Sequence, residues 1–132
     1  MKIIGIDPGL IQTGFGIINV SNNQTTLIDY GIIKPQAKDT LANRLLTIFN
    51  DVCEIISNYN PQIFAIEEVF YGKNVKSAMR LGQARGAAMV AAASKNIPIY
   101  EYSARKVKQS ITGNGNAHKT QVQFMVKAKL QM

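Results

Sequence analysis

KIIGID, residues 2–7, and QIFAIE, residues 62–67, are apolar runs that each end on an acidic residue. Runs of this length and composition predict buried β-strands. After the first run, a Pro-Gly turn and a polar turn separate two further strands, at Thr13–Val20 and Thr25–Ile33. Three strands joined by tight turns predict an antiparallel meander at the start of the fold.

The rest of the chain alternates helical and strand patterns. In chain order the predicted elements are a helix between a cap at Asp39 or Thr40 and Pro61, the Gln62–Glu67 strand, an alanine-rich helix at Val75–Ser94, a strand at Ile97–Tyr102, and helices at 103–112 and 117–130. The order βββαβαβαα predicts an α/β fold with a mixed five-stranded sheet flanked by helices. The 132 residues and their 46% hydrophobic content suit a single domain, residues 1–132, with one core.

Charge is divided unevenly along the chain. Residues 1–70 contain four basic and seven acidic residues, whereas residues 71–132 contain eleven basic residues and a single acid, Glu101. A strongly basic half favours a polyanionic partner, of which nucleic acid is the commonest. An acidic membrane surface is less favoured without an aromatic-rich amphipathic helix, and many basic proteins bind no DNA.

The chain carries no pattern of a secreted or membrane protein. Its one cysteine, Cys53, cannot form an internal disulfide and is interpreted as a small apolar residue of a helix. The apolar runs are far shorter than the roughly 20 residues that span a bilayer, and the N-terminal residues lack a signal-peptide pattern. A reducing, cytoplasmic compartment is therefore expected.

Asp7 and Glu67 are the candidate metal ligands. A right-handed crossover would lay the second strand parallel to the first, so both carboxylates would emerge at one edge of the sheet, about 4.8 Å apart. Carboxylates this close repel unless a cation lies between them, and Mg²⁺ is suited because it takes few carboxylates and retains water or phosphate oxygens. The alternative is that Asp7 only initiates the Pro-Gly turn and Glu67 is a solvated strand end.

The glycine-rich segment that contains Asp7, GIDPGLIQTG, leaves a second interpretation open. Similar strand–Asp–Gly turns occur in sugar kinase and Hsp70-like ATPases, where they contact nucleotide phosphates. Those proteins use two such domains, which 132 residues cannot supply, so the ATPase interpretation is disfavoured.

Four segments together indicate a family: GIDPGLIQTGFGII at 5–18, FAIEEVF at 64–70, KNVKSAMRLGQARG at 73–86 and YEYSARKVKQSITGNGNAHKTQV at 100–122. Through them the chain closely resembles the RuvC Holliday junction resolvases, nucleases of the RNase H-like fold. The resemblance implies an endonuclease that makes symmetric paired nicks in four-way DNA junctions during recombination and repair. It also implies phosphodiester hydrolysis with Mg²⁺, with Mn²⁺ as a substitute, by a bacterial cytoplasmic homodimer that works with the RuvA and RuvB branch-migration proteins.

The resemblance also assigns roles to individual residues. Asp7 and Glu67 correspond to the first two catalytic acids of the family. Phe70 corresponds to an aromatic residue near the crossover, although it could instead cover the core. Lys108 and Lys119 correspond to lysines near the DNA backbone. Three neighbouring positions stay without a firm role, namely Glu68, Tyr71 and His118.

The long helix is expected to have a DNA-binding face and a packing face. The candidate DNA contacts fall at positions i, i+3 and i+7 and are Lys73, Lys76 and Arg80. Arg85 lies off that face and receives no role. Val75, Met79 and the alanines are expected to pack together, either between two copies of the chain in a dimer or on the sheet.

The family's last two acids lie on a further C-terminal helix that carries paired aspartates. No Asp or Glu follows Glu101, so the chain is expected to be C-terminally truncated relative to the family and to lack that helix. The resemblance therefore admits an alternative function, a catalytically impaired chain that binds junctions without cutting them.

Overall fold

The computed structural model describes residues 1–22, 24–68 and 74–102, which form a sheet and two helices. In chain order the elements are β1 (Lys2–Asp7), β2 (Thr13–Ser21), β3 (Gln24–Ile33), α1 (Leu41–Tyr59), β4 (Ile63–Glu67), α2 (Val75–Ser94) and β5 (Ile99–Tyr102). The helices predicted at 103–112 and 117–130 lie outside these residues. In the part of the chain that the structure describes, no helix has the length and apolar character needed to cross a membrane.

The sheet has five strands in the order β3-β2-β1-β4-β5. The pairs β1–β2 and β2–β3 are antiparallel, as the predicted meander requires. The pairs β1–β4 and β4–β5 are parallel, because a helix carries the chain back before each of the last two strands. The mixed five-stranded sheet predicted from the sequence is therefore confirmed.

The hydrophobic core lies between one face of the sheet and the two helices. Alternate residues of β1 and β4 supply the sheet side, since successive side chains of a strand point to opposite faces. Alanines on α2 allow its backbone to pack closely. The fully buried members are Ile4, Ile6, Ile17, Phe64 and Ile66 from the sheet, Ile48 and Val52 from α1, and Ala84, Ala88, Ala91 and Ala92 from α2.

The two ends of α1 are closed by local hydrogen bonds. Of the two caps that the sequence allowed, Thr40 is the one used, and its side chain accepts a bond from the Asn43 N–H at 3.2 Å. At the other end Asn60 adopts a left-handed conformation with φ of 51° and donates its N–H to the Ile56 carbonyl at 2.8 Å. These caps fix the length of α1 before Pro61.

The predicted start of β5 was two residues too early, because the end of α2 uses the intervening backbone. Asn96 has φ of 59° and donates to the Ala93 carbonyl at 3.0 Å, while Ile97 donates to the Ala92 carbonyl at 3.2 Å. This pair of bonds is a Schellman motif. The Ile97 N–H is thus committed to the helix, and β5 begins at Ile99, after Pro98.

The predicted packing face of α2 was wrong in part. Val75 and Met79 are 71% and 64% exposed, whereas the buried residues of α2 are all alanines. With about 100° between successive residues, Val75 and Met79 fall on the side of the helix opposite the alanine stripe. That outer side continues through Gly86 to Val90, which is 58% exposed.

A side-chain hydrogen bond ties the end of α1 to β3. The Tyr59 hydroxyl donates to the Asp29 carboxylate, whose other oxygen accepts from the Tyr30 N–H at 2.8 Å. The pKa of Tyr59 is raised above its ordinary value, first by this hydrogen bond, then by burial and by the negative charge of Asp29. Ionisation of Tyr59 would remove the donor and place two negative charges together.

Replacing Tyr59 with Phe is therefore expected to lower the free energy of unfolding in a pH-dependent way. Because the folded-state pKa is raised, the stabilisation is fully present below the ordinary tyrosine pKa of about 10 and is lost as the pH rises through the folded value. Urea unfolding of wild type and Tyr59→Phe between about pH 8 and pH 11 measures this. The difference between the two should shrink at the alkaline end, and a constant difference would contradict the assignment.

Candidate metal and nucleic-acid site

The structure places Asp7 and Glu67 at the ends of neighbouring parallel strands. The register between β1 and β4 runs from Ile3–Ile63 to Ile6–Ile66, so the two acids are the next residues on each strand. Parallel strands lie about 4.8 Å apart, and both acids are half-buried. Because side chains alternate, both carboxylates lie on the face of the sheet away from α1 and α2.

Glycine on the adjacent strand leaves space beside Asp7. Gly14 of β2 pairs with Asp7, and a Cβ built at Gly14 would lie 4.0 Å from the Asp7 Oδ2. Two pairs back along β1, on the same face of the sheet, Gly5 pairs with Gly16 on β2 and Ala65 on β4. The strand residues beside the two acids are therefore very small, so their own side chains do not crowd the carboxylates.

The turn that follows Asp7 is held by a buried threonine. Thr13 is 0% exposed, and its hydroxyl accepts from the Gly9 N–H at 3.2 Å and donates to the Gly9 carbonyl at 2.7 Å. Glycine is required at position 9 because a Cβ on Gly9 would lie 2.3 Å from the Gln12 carbonyl oxygen. One hydroxyl thus closes the Pro8–Gln12 turn directly beside the first acid.

Thr13→Val keeps the shape of the side chain but removes both hydrogen bonds and leaves the partly buried backbone groups of Gly9 without this partner. We expect a loss of about 1–3 kcal/mol in the free energy of unfolding. The matched control is Thr13→Ser, which keeps the hydroxyl and should lose less. Chemical denaturation measures both variants, and a Thr13→Val protein at least as stable as Thr13→Ser would show that the turn does not depend on the hydroxyl.

Arg85 contacts the backbone of the second acid, a contact that the sequence interpretation did not anticipate. Its Nε donates to the Glu67 carbonyl at 3.0 Å, and its terminal nitrogen forms an ion pair with Glu101 on β5. The Arg85 side chain is only 16% exposed. The available signal was an arginine next to the alanine-rich half of the helix, in the segment LGQARG, where a charge must find a partner if it is to be buried.

The described basic candidates lie on the first half of α2. Lys76 and Arg80 are exposed, and their spacing of four residues places them on one face of the helix. Glu68, directly after β4, is also exposed. The remaining candidates fall outside the described residues, and these are Phe70, Tyr71, Lys73, Lys108, His118 and Lys119.

The carboxylates fit a hard divalent cation. Within residues 1–22, 24–68 and 74–102, no cluster of three or more His, Cys, Asp or Glu side chains could hold a metal ion. The described candidate ligands are the pair Asp7 and Glu67. Mg²⁺ is commonly bound through one or two carboxylates while water and phosphate oxygens complete its shell. A pair of acids beside very small strand residues matches that requirement.

Comparison with known proteins identifies the family. The profile of the family described as "Crossover junction endodeoxyribonuclease RuvC" matches residues 3–132. The chain belongs to the RuvC family. The RuvC protein of Saccharophagus degradans is 49% identical over 130 residues, which cover 98% of this chain and 75% of that protein. The RuvC protein of Citrifermentans bemidjiense is 48% identical over 132 residues, which cover 100% of this chain and 80% of that protein.

Solved structures support the same assignment. Thermus thermophilus RuvC in complex with a Holliday junction substrate has a TM-score of 0.81 and 32% identity, over 100% of this chain and 81% of that one. The yeast mitochondrial Holliday junction resolvase Ydc2 has a TM-score of 0.57 and 12% identity, over 97% and 82% of the two chains, a likeness of fold alone. The predicted RNase H-like fold is confirmed.

Proposed function

We propose that this RuvC family member is a Holliday junction resolvase that makes symmetric paired nicks in four-way DNA junctions during recombination and repair. The observation that carries the proposal is the register of β1 with β4, which sets Asp7 beside Glu67 on one face of the sheet. A nuclease family and a carboxylate pair suited to Mg²⁺ support the same chemistry. We place the activity in the bacterial cytoplasm, with RuvA and RuvB as partners.

In the proposed mechanism, the Asp7 and Glu67 carboxylates hold Mg²⁺, and Mn²⁺ can replace it because it prefers the same oxygen ligands. When bound, the ion would neutralise charge on the scissile phosphate and lower the pKa of a water molecule. Gly14, which pairs with Asp7, would allow the DNA backbone to approach this acid, since it carries no side chain.

The DNA contacts are proposed on the basic residues. Lys76 and Arg80 are exposed on α2, the helix that follows the strand bearing Glu67. Phosphate contacts of this kind position the duplex and make binding fall steeply with salt concentration. The other proposed contacts, supported by sequence alone, are Phe70, Lys73, Lys108 and Lys119.

The acids can be tested with a matched set of variants. Asp7→Asn and Glu67→Gln are each expected to slow Mg²⁺-dependent nicking of a synthetic four-way junction by about 1000-fold, since each removes a ligand to an ion that contributes several kcal/mol. The control is Glu68→Gln, which changes the neighbouring exposed carboxylate and should leave nicking unchanged. Undiminished cleavage by Asp7→Asn would contradict the mechanism.

Junction binding without cleavage is the second candidate function. It is favoured by the observation that only two acids of the described residues could meet at the site. It predicts that the 132-residue chain binds four-way junctions with a strong salt dependence but makes no nick when Mg²⁺ is added. Gel-shift and nicking assays on the same preparation separate the two functions. Robust nicking would exclude junction binding without cleavage.

A homodimer is proposed through the outer side of α2. The residues of this surface, which we call the α2 outer stripe, are the exposed Val75, Met79 and Val90 and the half-buried Gly82 and Gly86. A Cβ added at Gly82 or Gly86 would meet nothing within 4 Å, so the stripe has a shallow centre between larger apolar residues. A second copy of α2 could pack closely there, because glycine lets two helix backbones approach.

Val90→Lys is expected to weaken self-association without unfolding the protomer. Val90 is 58% exposed, so the protomer loses little, whereas a lysine within the helix contact should raise the dimer dissociation constant by about 10-fold or more. Leu46→Lys on α1 is the control, because Leu46 is 53% exposed and lies on the other helix. Analytical ultracentrifugation measures both, and equal association constants for the two variants would argue against the α2 outer stripe.

A further inference from the structure

We infer that Arg85 is a positioning residue for the metal ligand Glu67, and that Glu101 holds Arg85 in the required orientation. This inference rests on the proposed function, because it concerns the ion that Asp7 and Glu67 would hold. In this inference neither Arg85 nor Glu101 contacts the metal ion. Each acts through the backbone that carries Glu67.

The contact lies where β4 ends. Glu67 is the last residue of the strand, and the chain leaves the sheet at Glu68. Arg85 donates its Nε to the Glu67 carbonyl at 3.0 Å. A bond from a charged donor to this terminal carbonyl anchors the Glu67 backbone at the end of the strand. Displacement of that backbone would move the Glu67 carboxylate relative to Asp7.

Arg85 is itself held on three sides. Its helix neighbours on the packed side, Ala84 and Ala88, are 0% exposed, which seats α2 against the rest of the core. Its terminal nitrogen forms the ion pair with Glu101, and Glu101 pairs in register with Ile66, the residue before Glu67. The guanidinium fork therefore spans β4 and β5, with one arm on a carbonyl and another on a carboxylate.

Arginine suits this role better than lysine. A guanidinium presents several N–H donors in a rigid plane, so two acceptors in different directions can be satisfied together. A lysine ammonium in the same place is a point charge on a flexible stem. It would be drawn to the Glu101 carboxylate and would hold the Glu67 carbonyl less firmly.

A purely structural role would tie α2 to the sheet without affecting the ion. The two roles differ in what the variants lose. Loss of a purely structural contact lowers only the free energy of unfolding. Loss of a positioning contact also lowers the affinity of the folded protein for a divalent cation. Partners that orient metal ligands without contacting the metal typically change affinity by about 10- to 100-fold when they are removed.

The test is a Mn²⁺ titration of the full 132-residue chain, followed by electron paramagnetic resonance, with thermal unfolding recorded on the same samples. We expect Arg85→Gln to raise the half-saturating Mn²⁺ concentration by about 10-fold, with a smaller increase for Arg85→Lys. The matched control is Arg44→Gln. Arg44 also donates to two backbone carbonyls, of Ala37 and Asp39, in the segment that leads into α1. This control should lose stability but keep its Mn²⁺ affinity.

Two further variants make the outcome decisive. Asp7→Asn should abolish saturable Mn²⁺ binding; if it binds as wild type does, the proposed metal site itself is wrong. If Asp7→Asn loses binding while Arg85→Gln keeps wild-type affinity, only the positioning role is overturned. Should Arg85→Gln fail to fold, Glu101→Gln decides, because it leaves Arg85 in place but frees its guanidinium. An unchanged half-saturating concentration in Glu101→Gln would overturn the inference.

Discussion

The parallel pairing of β1 with β4 is the constraint on which the rest of the molecule depends. The pairing buries Ile4, Ile6, Phe64 and Ile66 against the helices, and a slip of one residue would turn this apolar set to the other face. The same register fixes the residues that follow the last pair, Ile6–Ile66. Core packing therefore brings the two acids to neighbouring strand ends.

The part of the fold that follows from periodicity and turn chemistry could be predicted from the sequence. Apolar runs of five or six residues between turns gave the strands, and the change to helical spacing gave α1 and α2. The neighbouring positions of Asp7 and Glu67 also followed, because a crossover between parallel strands is almost always right-handed. The sequence did not predict that a glycine would lie beside Asp7. This depends on the register of β1 with β2, in which Asp7 pairs with Gly14.

The sequence interpretation failed or was silent at residues of two kinds. Some have a partner that lies far away in the sequence, and others use their backbone in a local hydrogen bond. Val75 and Met79 look like core residues by composition, yet the alanine stripe occupies the side of α2 that meets the core. Ile97 looks like a strand residue, yet its N–H closes α2. Arg85 looks like a surface cation, yet the Glu67 carbonyl and a carboxylate on β5 hold it.

The most direct test of the central claim is the position of Mn²⁺ found by anomalous X-ray scattering in crystals of this chain grown with four-way junction DNA. If Asp7 and Glu67 together hold the ion, a peak is expected within coordinating distance of carboxylate oxygens of both residues, on the face of the sheet away from α1 and α2. A peak that touches neither acid, or a fully occupied ion bound to one acid with the other turned away, would contradict it.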